Sequence, residues 1–451
     1  MMKKESGWKQ KSKEEIKEIF EFCEGYKTFL DAAKTEREAV KHIQNLLSKQ
    51  GFHDDPRQGK VFRVNRGKDI MAYIRGEKSP AEGLNIIVAH IDAPRLDLKQ
   101  NPLYEDVDLA LLRTHYYGGI KKYQWVAIPL AIHGIVVRAD GKAVEIAIGE
   151  DENDPVFAID DLLPHLSKKT LDEKKLSEAI EGEKLTVLFG SIPLVGEEKE
   201  AVKKGILKIL GDKYGIIEED FISAEIEIVP AFKAKDIGID RSMVGAYGQD
   251  DRASAYPLLM AICDMKDPVR PCLAIFTDKE EIGSESNTGI QSNFIQIFLD
   301  DILEGLKIKT NEALVRKILF QSKALSADVN GAVNPTYQDV HEKQNASYLG
   351  RGICISKFTG HGGKVGANDA NAEYVGEIRR LFDREGIIWQ TGELGKIDEG
   401  GGGTVAKHLA VYGMDIIDCG APLLTMHSPF EISNKLDIFE TYRAFKVFLK
   451  S

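Results

Sequence analysis

Asn85-Ile86-Ile87-Val88-Ala89-His90-Ile91 is a short, nearly continuous apolar run with a histidine close to its far end. A strand with one wet face alternates polar and apolar residues, whereas a continuous run marks a strand covered on both faces, as in mainly parallel sheets flanked by helices. Two helices precede it. Apolar residues from Ser12 to about Lys34 (Ile16, Ile19, Phe20, Cys23, Phe29, Leu30) keep a three-and-four spacing. Thr35 and Glu38 then have capping-box spacing, Val40, Ile43, Leu46 and Leu47 follow, and Gly51 supplies a left-handed stop. After Tyr247 the buried pattern returns, with a helix near 252–264, a strand at Cys272–Thr277 and strand candidates at 318–326, 352–358 and 414–418. Between these halves the texture changes to Gly-punctuated alternation (Trp125 to Val137, Val144 to Ile148, Leu185 to Phe189, Ala224 to Val229) around charged helical stretches near 160–212. The pattern predicts an α/β protein. Residues 1–99 and 239–451 form a discontinuous domain built on a mixed, mainly parallel sheet flanked by helices, and residues 100–238 form an inserted β-rich domain.

Composition narrows the function. The chain has 451 residues, 43% of them apolar, enough for two domains with sizeable cores. A net charge of -11 argues against nucleic acid or an anionic membrane surface as the main partner. Five scattered cysteines without C-x-x-C spacing suggest neither a disulfide framework nor a thiolate zinc site, and reducing cytoplasm fits them. The Met1-Met2-Lys3-Lys4 start leads into mixed charge rather than an apolar signal segment, and no stretch approaches ~18 uninterrupted apolar residues, so neither export nor a membrane span is expected.

Open α/β sheets present ligands with the carboxyl ends of their strands, and carboxylates and histidines gather there in this sequence. His90-Ile91-Asp92 ends the first core strand; a metal-binding imidazole needs orienting, and a nearby carboxylate commonly accepts its other ring N–H. Taken alone, a hydrogen-bonded structural histidine is the plainer reading. Asp250-Asp251-Arg252 lies between the Gly248 turn and a helix, where a carboxylate could bridge two cations or simply cap the helix. Asp278-Lys279-Glu280-Glu281-Ile282-Gly283-Ser284 follows the strand Cys272–Thr277. Metal-assisted hydrolysis would use Glu281 as ligand and Glu280 as the base for water, while a solvated acidic turn is the bland alternative. Asp328 closes another apolar strand and His427 follows the Gly420–Leu424 turn. His90, Asp250, Glu281, Asp328 and His427 together supply two histidines and three carboxylates, a set able to hold two Zn²⁺ ions with one bridging aspartate.

At these residues the sequence resembles the aspartyl aminopeptidase and aminopeptidase I family of dinuclear zinc exopeptidases, over most of the chain and in the same motif order. The matching segments are Ala89-His90-Ile91-Asp92-Ala93-Pro94, Asp250-Asp251, Asp278 to Ser284, Ser326-Ala327-Asp328 and Met426-His427-Ser428. The resemblance implies a split catalytic domain with two Zn²⁺ per subunit, for which cobalt or manganese could substitute. Asp250 would bridge, His90 and Asp328 would complete one position, and Glu281 and His427 the other. Glu280 would be the general base and Asp92 the orienter of His90. The implied activity is release of the N-terminal residue from short peptides in the cytoplasm, by a homo-oligomer that in this family is a dodecamer. The inserted domain would serve subunit contacts and shape the active site.

Two segments depart from the family pattern. After Asp328 the chain reads Val329-Asn330-Gly331 where histidines are usual, and Trp125-Val126-Ala127 stands in an altered segment after Tyr117-Gly118-Gly119. A preference for acidic or neutral N-terminal residues is therefore left open. Lys357 roughly matches a family lysine that meets an acidic substrate side chain, although an exposed lysine at a strand edge reads equally well. His361, in the Gly360–Gly366 loop, is a further substrate-pocket candidate. Two rival functions share these residues: a metal-dependent deacylase of N-acyl amino acids, and a non-catalytic assembly protein with a degenerate site. Retention of all five ligands and the base speaks against the second.

Overall fold

The computed structural model describes residues 5–451. They form two compact units: one takes the chain up to Ala93, Ala234–Met426 and Phe430–Ser451, the other Pro94–Lys233 with the tripeptide His427–Pro429.

The first unit begins with two capped helices. Lys13–Ala32 starts at Ser12, whose Oγ accepts from the Glu15 amide at 3.2 Å while Glu15 accepts from the Ser12 amide at 2.8 Å. Glu36–Lys49 repeats the device with Thr35 and Glu38. Each reciprocal pair satisfies two backbone donors that a helix start leaves open. Gly51 adopts a φ of 79° just beyond the second helix.

The main sheet runs in the order Lys60–Asn65, Asp69–Ile74, Cys272–Thr277, Asn85–His90, Lys323–Ser326, Asp415–Gly420, Ile353–Ser356, Trp389–Thr391. Its four central strands, Cys272–Thr277 through Asp415–Gly420, are mutually parallel. The apolar run at 85–90 has a direct explanation here. Ile87 and Ala89 join the core on one face with Ala274, Phe276, Leu325 and Ile417, and Ile86 and Val88 join the core on the other with Leu273, Ile275, Ala324 and Ile416. Helices Gln249–Cys263, Ala372–Arg384 and Lys435–Lys450 contribute to the first core, and Phe294–Gly305 and Glu312–Gln321 to the second. With no wet face, the strand has no reason to alternate, and each fully buried aliphatic side chain contributes roughly 1.5–3 kcal/mol.

A second sheet in this unit has the order Lys235–Ile237, Met243–Ala246, Glu431–Asn434, Pro422–Leu424, Asn330–Gly331. The segment 318–326, expected as a strand throughout, is divided. Glu312–Gln321 is a helix and only Lys323–Ser326 is extended, because Val315, Ile318 and Leu319 recur at helical spacing and form the helix's buried face. The last helix, Lys435–Lys450, and the N-terminal hairpin of Lys60–Asn65 with Asp69–Ile74 were absent from the sequence reading.

The second unit is built on a six-stranded sheet in the order Ala143–Ile148, Leu130–Val137, Ala224–Pro230, Arg95–Asp106, Leu109–Tyr117, Thr186–Gly190, antiparallel throughout. Helix Ala201–Tyr214 packs against Arg95–Asp106, Leu109–Tyr117 and Thr186–Gly190, and Leu98, Leu112, Ile132, Phe189 and Leu210 line an apolar cavity inside. Among the described residues no helix is long and apolar enough to cross a membrane.

Candidate metal centre

Three adjacent parallel strands deliver chemistry at their carboxyl ends. His90 is the last residue of Asn85–His90, Glu280 and Glu281 follow Cys272–Thr277 on one side of it, and Asp328 follows Lys323–Ser326 on the other. The second sheet supplies two more groups. Asp250 lies between Met243–Ala246 and the regular part of its helix, and His427 lies in the connection from Pro422–Leu424 to Glu431–Asn434.

The Asp250 turn is specified locally. Gly248, at φ 70°, sits where a Cβ would run into the Arg252 guanidinium. Arg252 is fully buried and donates to the Gly248 carbonyl and to the Lys34 carbonyl, both at 3.1 Å. Asp250 and Asp251 do not have helical dihedrals, and the peptide between them is cis. The Asp250 amide donates to Glu431 Oε2 at 3.1 Å, and the Gln249 side chain donates to the Glu431 carbonyl at 2.7 Å.

His90, Asp250 and Asp328 bring one ligand atom each within 4.8 Å of one another, and Asp250, Glu281 and His427 do the same. Asp250 belongs to both groups. His90 Nε2 lies 3.1 Å from Asp250 Oδ1, and its Nδ1 lies 3.1 Å from the Asp92 carbonyl oxygen and 3.4 Å from Asp92 Oδ1. His427 Nδ1 lies 2.9 Å from the Gly119 carbonyl oxygen. In each ring the carbonyl oxygen beside Nδ1 can only accept, which favours the Nδ1–H tautomer and leaves Nε2 as the nitrogen able to meet a cation.

The electrostatics test whether a cation fits. Burial raises the Asp328 pKa well above the carboxylate range, and the charges of Glu280 and Asp250 add to it. Burial raises Asp251 in the same way, with Asp250 contributing. For His90, burial disfavours the charged ring, yet hydrogen bonds to Asp250 and Asp92 hold its pKa well above the ordinary value. All three directions report one cause: carboxylates packed out of water, in a field that favours positive charge. Neutral imidazole with carboxylate oxygens is a donor set suited to zinc, cobalt or manganese.

Against this geometry the comparisons are decisive. Residues 29–449 match the family model described as aminopeptidase I zinc metalloprotease (M18). The chain belongs to this family. It is 51% identical over 457 residues to a probable M18 family aminopeptidase 1 of Clostridium acetobutylicum, covering 99% of this chain and 98% of that one. A probable M18 family aminopeptidase 1 of Thermotoga maritima is 50% identical over 451 residues, with 99% and 98% covered. The crystal structure of an M18 family aminopeptidase from Thermotoga maritima superposes with a TM-score of 0.96 at 49% identity, over 100% of both chains. This chain is accordingly an aminopeptidase of the M18 zinc metalloproteases, a hydrolase acting as an exopeptidase.

Within this M18 enzyme the Asp92 carboxylate does more than face His90. Its Oδ1 accepts from the Glu280 amide at 3.1 Å and its Oδ2 from the Glu281 amide at 3.2 Å. Lys357, just past Ile353–Ser356, pairs with Asp369 on the surface, and Lys364 reaches the same carboxylate at 2.9 Å. His361 exchanges backbone hydrogen bonds with Val365 in an exposed loop. Glu431 and the Asp278–Thr288 pair escaped the sequence reading. Glu431 offers only the weak signal of an acid opening an alternating strand, and Thr288 offers none.

Proposed function

We propose that this aminopeptidase holds two zinc ions, with Asp250 shared, His90 and Asp328 on one ion and Glu281 and His427 on the other. The observation that carries the reading is that two ligand groups share one aspartate while Asp92 grips the amides of Glu280 and Glu281. Zinc, when bound, would acidify water and polarise the scissile carbonyl. Glu280 is not a member of either ligand group, and its neighbour Glu281 is. Its carboxylate is left to take the proton from water and return it to the leaving amine. His90 and His427 present Nε2, Asp250 sets the separation of the two positions, and Asp92 aims the Glu280–Glu281 turn.

Short peptides with a free N-terminus are the proposed substrates, with Lys357 and His361 bordering the pocket for the first side chain. Cytoplasmic location is proposed on the five free, buried cysteines. Assembly into a homo-oligomer, a dodecamer by the family resemblance, is proposed through the inserted unit. That unit exposes Ile192 and Val195, which are 81% and 97% accessible.

The test is a panel of peptides with acidic, neutral and N-acylated first residues, assayed after chelation and refilling with zinc, cobalt or manganese, on the parent and on Glu280→Gln. Hydrolysis of free-amino peptides only, restored by metal, with the variant at least ~100-fold slower and still metal-loaded, is expected. Hydrolysis confined to N-acylated compounds would overturn the aminopeptide assignment. Parent-like turnover in Glu280→Gln would remove that residue from the chemistry.

A further inference from the structure

Glu280 and Glu281 stand on a turn whose shape is unusual for the residues in it. Lys279 has φ 71° and ψ 12°, a left-handed conformation that costs a non-glycine residue on the order of 1 kcal/mol. Something must hold it there. Asp278, fully buried at the exit of Cys272–Thr277, accepts from the Lys279 amide through Oδ1 at 2.8 Å. Its Oδ2 accepts from Thr288 Oγ1 at 2.7 Å and lies 3.1 Å from Lys279 Nζ. Thr288 is buried as well, and its carbonyl accepts from the Asp278 amide at 3.4 Å, with Asp278 and Gly289 forming an isolated parallel bridge. The loop from 278 to 289 is thus fastened at its base by side chain and backbone together. Inside it, Ser284 donates to the Lys279 carbonyl at 2.7 Å and Gly283 to the Glu280 carbonyl at 2.9 Å.

We infer that Thr288 and Asp278 are positioning residues for hydrolysis: the Thr288 hydroxyl fixes the Asp278 carboxylate, which fixes the left-handed Lys279 and so the direction in which Glu280 leaves the sheet. This rests on the reading of Glu280 as the base. Thr288 belongs to neither candidate group, and its side chain donates to Asp278. Two carboxylates then hold the turn from opposite ends, Asp278 at its entry and Asp92 at its two following amides. Without the hydroxyl at 288, Oδ2 would keep only the ammonium of Lys279, the long side chain of the very residue whose backbone Asp278 holds, and the carboxylate would lose the anchor that ties it to the far end of the loop. A shift of about 1 Å in a reacting group can cost on the order of 100-fold in rate.

The experiment compares Thr288→Val, Thr288→Ser and Asp278→Asn with Glu280→Gln, measuring kcat, KM, zinc per chain and melting temperature. Thr288→Val is expected to lower kcat by ~10- to 100-fold with KM within about twofold and zinc content unchanged, and Thr288→Ser to recover most of that loss. Asp278→Asn, which keeps an acceptor for the Lys279 amide, is expected to lower kcat in the same sense. A merely structural fastening would lower the melting temperature and leave kcat per bound zinc at the parental value in both Thr288→Val and Asp278→Asn, and that result overturns the inference. Slow turnover in Glu280→Gln beside parental turnover in Thr288→Val sinks the positioning role alone. Parental turnover in Glu280→Gln sinks the base assignment on which it rests.

Discussion

Replacing Asp92 with Asn separates two jobs that the sequence motif merges. The His90 ring faces the Asp92 backbone carbonyl at 3.1 Å, closer than the 3.4 Å to the carboxylate, so the substitution leaves the nearer acceptor in place. The carboxylate's two oxygens are engaged by the Glu280 and Glu281 amides. Asparagine keeps one oxygen and turns an NH₂ against the other amide. One charge-assisted bond is lost, at about 1.5–3 kcal/mol, and a buried N–H goes unsatisfied, at about 1–3 kcal/mol. If about 3 to 4 kcal/mol of that falls on the placement of Glu280, kcat drops by ~100- to 1000-fold, since each 1.36 kcal/mol is a factor of ten. Steady-state hydrolysis of a chromogenic aminoacyl anilide, with zinc per chain measured on the same sample, reads both quantities. The expected outcome is full zinc with low kcat. Zinc lost in proportion to activity, with normal turnover per bound ion, would show that the carboxylate serves His90 instead and refute the reasoning.

Asp250→Ala removes the residue common to both ligand groups, so zinc per chain is expected to fall further than in Glu281→Ala, which touches one group; equal losses in the two variants would contradict sharing. Asp69, buried at the start of its strand, has its pKa pushed up to about 8, chiefly by burial and with Asp278 contributing. A folded-state pKa above the unfolded 3.8 means the native protein keeps a proton that the unfolded chain releases. This group's stabilisation is therefore lost as pH rises toward 8. Asp69→Asn lacks that dependence, so denaturant unfolding at pH 5 to 8 is expected to show the variant gaining on the parent by about 1.4 kcal/mol per pH unit, levelling off above pH 8. A constant difference across that range would rule it out.

What the sequence disclosed follows from how local each signal is. The Thr35–Glu38 capping box and the apolar runs at 85–91 and 272–277 are local, and the structure has a capped helix and strands Asn85–His90 and Cys272–Thr277 there; the second capping box, at Ser12 and Glu15, emerged only with the structure. The hairpin of Arg95–Asp106 with Leu109–Tyr117 went unread because its register breaks between Leu98 and Leu103, which spoils the alternation on which strand recognition depends. Helix Lys435–Lys450 was missed for a different reason. It buries residues all round, including Lys435, Asp437 and Glu440, whose charges are answered by distant partners: Asp236 at 2.9 Å, the Gly350 and Gly352 amides, and Lys11. Its amphipathic stripe is erased by tertiary pairing. At the candidate site, the motif segments named the residues that the structure gathers into its two candidate groups, but Thr288 and Glu431 carry ordinary residue types whose contacts are visible only in space.

The strand bearing His90 lies between Cys272–Thr277 and Lys323–Ser326, both of which arrive more than 180 residues later in the chain. Until Lys323–Ser326 and Asp328 have been made, the strand ending at His90 lacks one of its two parallel neighbours, and the group of His90, Asp250 and Asp328 lacks its third member. Joining strands so far apart in sequence is the slow, long-range kind of closure, so the centre of this sheet is completed late in folding.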